Sequence, residues 1–367
     1  MLAAIGFNGI TISRELRVYH LERAKALSES DLRAWRFETG FGAENLKIVE
    51  LPDPAPGPGQ AVVRVRACSL NYRDLVVMRG AYGSSVKAPL TPLSDGAGEV
   101  IAVGSGVTRV KPGDRVAAAF MQGWIEGPAD DLKATSALGG AINGMMAEQV
   151  CLNAEGLVHF PKHLSFEEAA ALPCAAVTAW HALFRSGGLK PGESVLLQGT
   201  GGVSIFALQF AVMAGARVIQ TSSSDAKIER LRQMGAHDLI NYKTTPEWDK
   251  AVRNLTGGVG VDHIIEVGGA GTLPLSSKSV RRGGHIALIG VLAAGQGTFD
   301  PRLMMLKAAR LQGIFVGSRE MFEEMNRAIA LAGMQPVIDR VFEFAELHEA
   351  MKHLESGAHF GKVCVRV

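Results

Sequence analysis

Short apolar runs alternate with helical patterns along residues 162–317, and this alternation predicts six strands joined by crossover helices. The runs are almost continuously apolar, which is typical of parallel strands that are buried on both faces. The predicted strands are Ser194–Gln198, Arg217–Thr221, Asp238–Tyr242, Val261–Val267, His285–Ile289 and Leu311–Val316. This series predicts an α/β domain built on a doubly wound parallel sheet.

A different texture covers residues 32–161, where the predicted strands are short and turns are frequent. Ala61–Arg66 alternates apolar and polar residues at period two, and Gly98–Val103 and Arg115–Phe120 follow it. Closely spaced short strands predict an antiparallel, barrel-like domain. After Gly317 the pattern predicts a helix, a strand, a helix and a last strand, which we assign to the first domain. The predicted domains are therefore 32–161 with 318–367, and 162–317.

Residues 1–31 form an N-terminal extension ahead of this organisation. The stretch Arg14–Ser28 is compatible with successive helical turns. A basic segment followed by an apolar block is missing, so no secretory signal is predicted, and the acidic residues argue against a transit peptide. We interpret the extension as an appended arm or an upstream start of translation.

Composition narrows the class of protein further. The 367 residues carry 38 Lys and Arg against 36 Asp and Glu, which gives no electrostatic basis for binding nucleic acid or an anionic membrane. The richest apolar stretch, 169–184, is shorter than the ~18 residues of a membrane span. The four cysteines have no CxxC spacing, so neither a disulfide framework nor a zinc knuckle is predicted. We expect a cytoplasmic protein that acts on a small molecule.

A glycine-rich loop between the first strand and the first helix of the α/β domain carries the strongest chemical signal. Gly199 permits a tight turn, Gly201 lets the backbone approach a pyrophosphate, and Gly202 is expected to bring the helix close to the strand. Ser204 stands where a third glycine is usual. The helix aims its free N–H groups and its positive dipole end at the phosphates. We predict a dinucleotide site that includes the whole loop, Gly199, Thr200, Gly201, Gly202 and Val203.

The end of the second strand selects the form of the dinucleotide. NAD-binding sites place an acid about 20 residues after the loop, where it binds the ribose hydroxyls. Here Ser222 and Ser223 end the strand and Lys227 follows, so a 2′-phosphate would meet hydroxyls and an ammonium. Asp225 is the counter-argument, although we expect it to cap the next helix. The sequence favours NADP over NAD, with Tyr242 placed to lie over the same phosphate.

Several motifs in a fixed order resemble the medium-chain dehydrogenase/reductase superfamily. They are Asn71-Tyr-Arg-Asp, Asp95-Gly-Ala-Gly-Glu-Val, Lys111-Pro-Gly-Asp-Arg-Val, Thr178-Ala-Trp and Gly199-Thr-Gly-Gly-Val. The resemblance runs from about Ala34 to the C-terminus and implies a GroES-like catalytic domain beside a Rossmann nucleotide-binding domain. Within the superfamily the chain is most similar to the zinc-independent quinone oxidoreductases and enoyl reductases. Relatives of this kind are often labelled alcohol dehydrogenase.

Departures from the zinc enzymes of that superfamily imply that no catalytic metal is bound. Asn71 stands where those enzymes have a cysteine ligand, and Ser94-Asp95 replaces a His-Glu pair. Only Cys174 matches a ligand position, and one thiolate cannot hold a catalytic zinc, which takes three protein ligands. Asp95 leaves a zinc site open as the alternative, because aspartate can also bind zinc.

Without a metal, reduction of an activated C=C bond or a quinone is the chemistry that demands least of the protein. Hydride from NADPH adds to the β carbon, and charge develops on the carbonyl oxygen as an enolate, which donors must stabilise. The candidate catalytic residues are Asn71, as an amide donor, and Tyr72 and Tyr82, as proton donors. Both tyrosines match substrate-site aromatic positions of enoyl reductases; the alternative is that each is a packed aromatic.

The resemblance also implies further residues along the cofactor. Thr178 lies near the nicotinamide in relatives, and the segment after the fifth strand binds the carboxamide there through backbone groups. A further candidate segment follows the sixth strand. The residues of those two segments are Gly290, Val291, Leu292, Phe315, Val316 and Gly317.

Two other functions stay open at this point: a zinc-type alcohol dehydrogenase, and a cofactor-binding protein with a structural role. The physiological substrate is not encoded in any motif. The apolar sixth strand would leave an unpaired sheet edge, so we expect a homodimer joined through that strand. Relatives dimerise in this way, which agrees with the expectation. The alternative is that residues 1–31 fold over the edge and leave a monomer.

Overall fold

The computed structural model describes residues 31–83, 85–293 and 297–367. The predicted extension, with the helical stretch Arg14–Ser28, lies outside the described residues apart from Asp31. The strands are β1 (Asp31–Phe37), β2 (Leu46–Pro52), β3 (Gln60–Ser69), β4 (Asp95–Val103), β5 (Arg115–Ala118), β6 (Gln149–Asn153), β7 (Leu157–His159), β8 (Ser194–Gln198), β9 (Arg217–Ser222), β10 (Asp238–Asn241), β11 (Val261–Glu266), β12 (Val280–Leu288), β13 (Arg310–Gly313), β14 (Ile338–Phe342) and β15 (Lys362–Arg366).

The helices follow the crossovers that the sequence predicts. They are α1 (Tyr72–Met78), α2 (Asp131–Ala134), α3 (Phe166–Ala170), α4 (Val177–Trp180), α5 (Gly202–Met213), α6 (Asp225–Gln233), α7 (Trp248–Leu255), α8 (Leu273–Ser279), α9 (Pro301–Lys307), α10 (Arg319–Ala332) and α11 (Leu347–Glu355). Single π-helical segments, Leu172–Ala176 and His181–Ser186, flank α4. No helix in the described part of the chain combines the length and the apolar character that crossing a bilayer requires.

A six-stranded parallel sheet carries the nucleotide-binding half of the protein. Its strand order is β10-β9-β8-β11-β12-β13, which confirms the doubly wound prediction. Val195, Leu196 and Leu197 of β8 are fully buried, because helices cover both faces of the sheet. The order reverses between β8 and β11, so a crevice forms there at the carboxyl ends of the strands, where such sheets bind ligands.

A seven-stranded sheet forms the other half, with the order β14-β15-β3-β4-β5-β7 and with β6 paired to β3. This arrangement confirms the GroES-like prediction. In it, β15 from the C-terminal tail lies between β14 and β3. Strict alternation along β3 was wrong. Ala61, Val63 and Val65 belong to the core of this half, and Val62 between them is buried as well, so the face that should be polar is covered at this point.

The sixth parallel strand is shorter than the sequence predicts. β13 ends at Gly313, whereas the apolar run suggested a strand to Val316. Val316 has a left-handed backbone, with φ of 54°, so the chain turns away from the sheet at that point. Ile314 is buried and donates its N–H to the Leu288 carbonyl, and Phe315 stays exposed. The sheet edge is therefore only four residues long.

Candidate active site

The glycine loop between β8 and α5 has the geometry of a phosphate cradle. Gly199 adopts φ of 71°, and Gly201 is the N-cap residue of α5. A Cβ added at either glycine would meet no atom of the described residues within 4 Å, so the backbone faces open space. The first turn of the 12-residue helix carries no acid, and its free N–H groups and dipole favour an anion there. Thr200 is buried and Val203 half-buried beside these groups.

Gly202 has a different task from the one we expected. A Cβ at Gly202 would approach Lys362 Cδ to 2.8 Å and Ala175 Cβ to 3.2 Å, so this glycine makes room for a lysine stem rather than for β8. Ser204 provides the contact between helix and strand, since its Oγ donates to the Gln198 carbonyl at 2.6 Å. The serine therefore takes over the close approach that a third glycine provides elsewhere.

The residues that we assign to the adenosine end lie together at the carboxyl ends of β9 and β10. Ser222 is buried, and its carbonyl accepts the Tyr242 N–H at 3.0 Å, which places the exposed tyrosine directly beside it. Ser223 follows half-buried. Lys227 lies one turn into α6, and its Nζ donates to the carbonyls of Gly357 and His359 at 2.9 Å each. Its ammonium thus stands at the junction of the two halves of the protein.

The capping of α6 differs from the prediction. Ser224 is the N-cap residue and accepts the Lys227 N–H through its Oγ, while Asp225 is the first helical residue. The Asp225 carboxyl group accepts from Asn241 Nδ2 at 2.7 Å. The acid that argued for NAD is therefore held by a neighbouring amide.

The segments assigned to the nicotinamide end approach α4. Thr178 is buried on this helix, and a Cβ at Gly317 would come within 2.7 Å of Val177 Cγ1. The Val316 carbonyl accepts from the ring of His181 at 2.7 Å, which anchors the left-handed turn. Left-handed non-glycine residues carry strain that concentrates at functional sites.

The remaining three predicted residues lie after β12. Gly290 passes so close to the Val267 carbonyl that a Cβ would overlap it. Val291 and Leu292 expose 76% and 49% of their surface, so their apolar side chains are uncovered at this position.

A buried carboxyl group at the end of β11 holds the segment that follows this strand. Glu266 accepts from Gln198 Nε2 at 2.8 Å and from the amides of Gly268 and Gly269 at 2.8 and 2.9 Å. The hydroxyls of Thr272 and Ser276 donate to the same group. Sequence reasoning missed Glu266, because an acid at the end of an apolar strand resembles any strand terminus.

Asn71 is the N-cap residue of α1, and the nitrogen of its side-chain amide has no hydrogen-bond partner among the described residues. Its backbone N–H donates to Asp74 Oδ2 at 2.7 Å, which fixes the start of the helix. Its side-chain Oδ1 accepts from Lys362 Nζ at 2.7 Å. Its Nδ2 is buried and has no hydrogen-bond partner among the described residues. A buried orphan donor costs about 1–3 kcal/mol, so it needs an explanation, and a ligand atom would supply one.

Lys362, the first residue of β15, is the functional candidate that sequence reasoning missed. The side chain is 3% exposed, and Nζ donates to the Leu70 carbonyl at 2.6 Å as well as to Asn71. Asp95 Oδ2 lies 3.9 Å from the same ammonium. Ser94 Oγ and the Cys174 N–H also donate to the Asp95 carboxyl group, at 2.7 and 3.2 Å.

The two candidate tyrosines have different surroundings. The Tyr82 ring is half-buried, and its centroid lies 4.6 Å from the guanidinium carbon of Arg73. The centroid of the Phe120 ring lies 4.7 Å from the same carbon. Tyr72, in contrast, is 42% exposed at the start of α1. The structure thus packs Tyr82 against a buried cation and leaves Tyr72 at the surface.

Burial governs the protonation of the acids and thiols around Asn71. Burial raises the pKa of Asp74 to about 6, and Arg73, 3.9 Å away, opposes that rise. Burial also raises the pKa of the Cys174 thiol well above its ordinary value, and nearby Asp95 adds to the effect. A thiol in this state is a poor metal ligand, because only the thiolate binds.

The donor set at this point does not fit a catalytic zinc. The Lys362 ammonium occupies the space between Asn71 and Asp95 that a divalent cation would need, and two cations repel each other there. Within 31–83, 85–293 and 297–367, no group of three His, Cys, Asp or Glu residues could hold a metal ion. One protonated thiol and one carboxyl group fall short of the three protein ligands that catalytic zinc sites use.

Comparisons with known proteins agree with the fold. Residues 57–162 match the family model of the alcohol dehydrogenase GroES-like domain, and residues 202–331 match that of the zinc-binding dehydrogenases. The chain is 45% identical over 335 residues to the zinc-type alcohol dehydrogenase-like protein C1773.06c of Schizosaccharomyces pombe, covering 89% of this chain and 96% of that protein. It is 30% identical over 343 residues to the quinone oxidoreductase of Pongo abelii, covering 91% and 97%.

A crystal structure agrees with the same grouping. A Sinorhizobium meliloti 1021 protein assigned to the alcohol dehydrogenases matches with a TM-score of 0.87 and 42% identity, over 92% of this chain and 99% of that one. The fold and the site define a nicotinamide-dependent oxidoreductase. The chain belongs to the medium-chain dehydrogenase/reductase superfamily, which confirms the resemblance inferred from its motifs.

Proposed function

We propose that this protein reduces a quinone or an α,β-unsaturated carbonyl compound with NADPH and without zinc. One observation carries the proposal: the Asn71 Nδ2 donor is buried and unpartnered next to a fixed ammonium, where zinc enzymes of the superfamily hold their metal. A neutral amide donor suits a carbonyl oxygen on which charge develops only partly. An alcohol–carbonyl interconversion would need stronger polarisation, such as a Lewis acid.

The cofactor and the candidate residues have separate roles in the proposed reaction. NADPH supplies a hydride to the β carbon when it is bound. Asn71 Nδ2 donates to the carbonyl oxygen of the substrate and stabilises the enolate charge. The α carbon takes a proton from Tyr82, whose hydroxyl lies on the same side as Arg73, or from water. Tyr72 is the weaker candidate, because its side chain is 42% exposed and is hydrogen-bonded to Arg79.

Substitution of Asn71 and Tyr82 tests this assignment directly. Removing one donor to a developing oxyanion costs ~10²-fold in turnover, and we expect a loss of that size in Asn71→Ala. Tyr82→Phe should lower turnover without altering the NADPH dissociation constant. Asn254→Ala, on the exposed end of α7, serves as the matched control. Unchanged turnover in both site variants would remove these residues from the mechanism.

The preference for NADPH rests on the adenosine end. Ser222, Ser223 and Tyr242 surround the end of β9 with hydroxyls, and Lys227 adds a positive charge. Two contacts to a 2′-phosphate, at ~1.5–3 kcal/mol each, predict at least a tenfold preference over NADH. Titration of both cofactors measures it, and equal or tighter binding of NADH would contradict the proposal.

The zinc-type alcohol dehydrogenases are the main alternative, because relatives carry that name and Cys174 and Asp95 lie at matching positions. NADPH oxidation with a quinone, an enone, an enoyl thioester and an aldehyde separates the two functions. We expect turnover with the first three classes and no dependence on chelators. One zinc per chain by elemental analysis, with activity lost on chelation, would establish the alternative. Binding of NADPH without turnover of any substrate would point to a structural role.

We also propose a homodimer that pairs β13 with its symmetry mate. β13 ends the six-stranded sheet, and Gln312 and Gly313 are exposed along it. Met305 and Leu306 of the adjacent α9 expose 72% and 60% of their surface, which extends the apolar edge. A two-fold contact would cover both features together.

A further inference from the structure

Lys362 is a buried charge that the proposed chemistry has not yet used. Its ammonium has three hydrogens, of which two go to Leu70 O and Asn71 Oδ1, while Asp95 supplies the opposite charge. Buried lysines are rare because desolvation is costly, and they persist where a partner requires the charge. The carbonyl of Leu70 would be satisfied equally well by a backbone amide, so the contact to Asn71 is the distinctive one.

The ammonium determines which way the Asn71 carboxamide faces. An amide side chain can turn by 180° and exchange its oxygen and nitrogen, and only hydrogen bonding decides between the two orientations. An ammonium has donors and no acceptor, so at 2.7 Å it accepts only the orientation with the oxygen toward it. The nitrogen must then point to the other side, where it is buried without a partner.

We propose that Lys362 is a positioning residue, which locks the Asn71 carboxamide with Nδ2 aimed at the substrate oxygen. This inference rests on the proposed function of Asn71. Turning the amide would set its Nδ2 donor against the Lys362 ammonium, which has no acceptor, so the lysine opposes that orientation.

The same lysine joins the substrate side to the glycine loop. Its stem fills the space that Gly202 leaves free, and the preceding Gly361 donates its N–H to the Thr200 carbonyl at 3.0 Å. The Lys362 side chain therefore fixes the position of the Asn71 amide relative to the glycine loop. A rigid link of this kind sets the distance between a donor and a bound cofactor, which catalysis requires within fractions of an ångström.

Lys362→Met tests the proposal, since methionine retains an unbranched stem beside Gly202 and removes only the ammonium. We expect about tenfold lower kcat, with the NADPH dissociation constant unchanged within twofold. Lys352→Met, an exposed lysine of α11, is the matched control and should behave as wild type. An equal loss of NADPH affinity and turnover would overturn the proposal, because Lys362 would then act on the cofactor.

A double-variant cycle separates positioning from a general structural effect. If Lys362 acts through Asn71, Lys362→Met should cause no further loss of kcat in an Asn71→Ala background. Multiplicative losses would overturn the proposal. Should the methionine variant not fold, Lys362→Leu replaces it under the same criteria, because leucine also offers no donor to Asn71 Oδ1.

The side-chain NMR signals of ¹⁵N-labelled asparagine keep this inference distinct from the proposed function. The Asn71 signal pair is identified by its loss in Asn71→Ala, and we expect it to shift or broaden in Lys362→Met and to stay in place in Lys352→Met. An unmoved pair would overturn the positioning role, even in a fully active enzyme. Absence of turnover with every substrate class would instead refute the proposed function and leave the NMR criterion to decide on Lys362.

Discussion

Replacing Glu266 tests whether a buried carboxyl group organises the loops at the nicotinamide end. The side chain is fully buried and accepts five hydrogen bonds, including those from the amides of Gly268 and Gly269. Gly269 in turn packs closely against Gly290 and Val291, which we assign to the cofactor site. Loss of the carboxyl group should therefore lower stability and weaken the binding of NADPH together.

The magnitude follows from the donors that lose their acceptor. In Glu266→Ala the two amides and Gln198 Nε2 are affected, whereas the hydroxyls of Thr272 and Ser276 can rotate. Gln198 also offers its Oε1 to Gly268 at 3.3 Å and keeps Ser276 as a partner, so part of the loss is relieved. At ~1–3 kcal/mol for each buried orphan donor, we expect about 4 kcal/mol of lost unfolding free energy. Glu266→Gln creates one donor–donor conflict and should cost about 2 kcal/mol.

Urea unfolding followed by circular dichroism measures the stability, and fluorescence titration with NADPH measures the binding. The matched control is Glu247→Gln, since Glu247 pairs with Lys250 at the surface and its loss should leave both measurements unchanged. An unfolding free energy of Glu266→Ala within ~1 kcal/mol of wild type would refute the reasoning about orphan donors. Unaltered NADPH affinity in Glu266→Gln would refute the link between this loop and the cofactor.

Three further outcomes follow from the structure. Lys227→Ala should weaken the binding of NADPH about tenfold and leave the binding of NADH nearly unchanged in parallel titrations. Equal losses of affinity for both cofactors would assign the lysine to the domain junction alone. The folded-state pKa of Asp74 is about 6 against an ordinary 3.8, so the folded protein binds the extra proton between these values. The unfolding free energy of the wild type should therefore fall by ~3 kcal/mol relative to that of Asp74→Asn as pH rises through that window. Urea unfolding measures it, and the same difference between the two proteins at pH 4 and pH 7 would contradict the reasoning. Gly313→Pro should yield monomers in sedimentation. The Ile314 N–H points to β12, so alternation turns the Gly313 N–H toward the open edge, and proline would remove that donor from the dimer contact. A persistent dimer would exclude β13 as the interface.

The sequence predicts the parallel sheet well, because strands buried on both faces appear as apolar runs between glycine-rich turns. β8 has the predicted bounds, and the other five parallel strands overlap theirs. The end of β13 was missed because an apolar run cannot distinguish a strand from a left-handed turn at Val316. β3 departed from its prediction because Val62 is buried beside the core residues Ala61 and Val63, and the residue pattern does not show whether other parts of the chain cover the second face of a strand.

The candidate site was predictable only where a motif holds the residue. Gly199, Gly201 and Asn71 belong to motifs whose spacing carries the chemistry. Lys362 belongs to none: it follows Asn71 by 291 positions, and only the pairing of β15 with β3 brings the two together. Such a contact depends on strand order, which the pattern of residues along one segment does not contain.

The place of β15 has a consequence for how the protein is made. The six-stranded sheet comes from one continuous segment, whereas the seven-stranded sheet needs β3 from the first part of the chain and β15 from its last residues. Chains emerge from the ribosome N-terminus first and tend to fold domain by domain. The nucleotide half can therefore fold on the nascent chain before β15 is made, while β3 already has β4 and β6 as neighbours and still lacks β15. Because Lys362 lies in that last strand, its ammonium can meet Asn71 only after β15 has paired with β3.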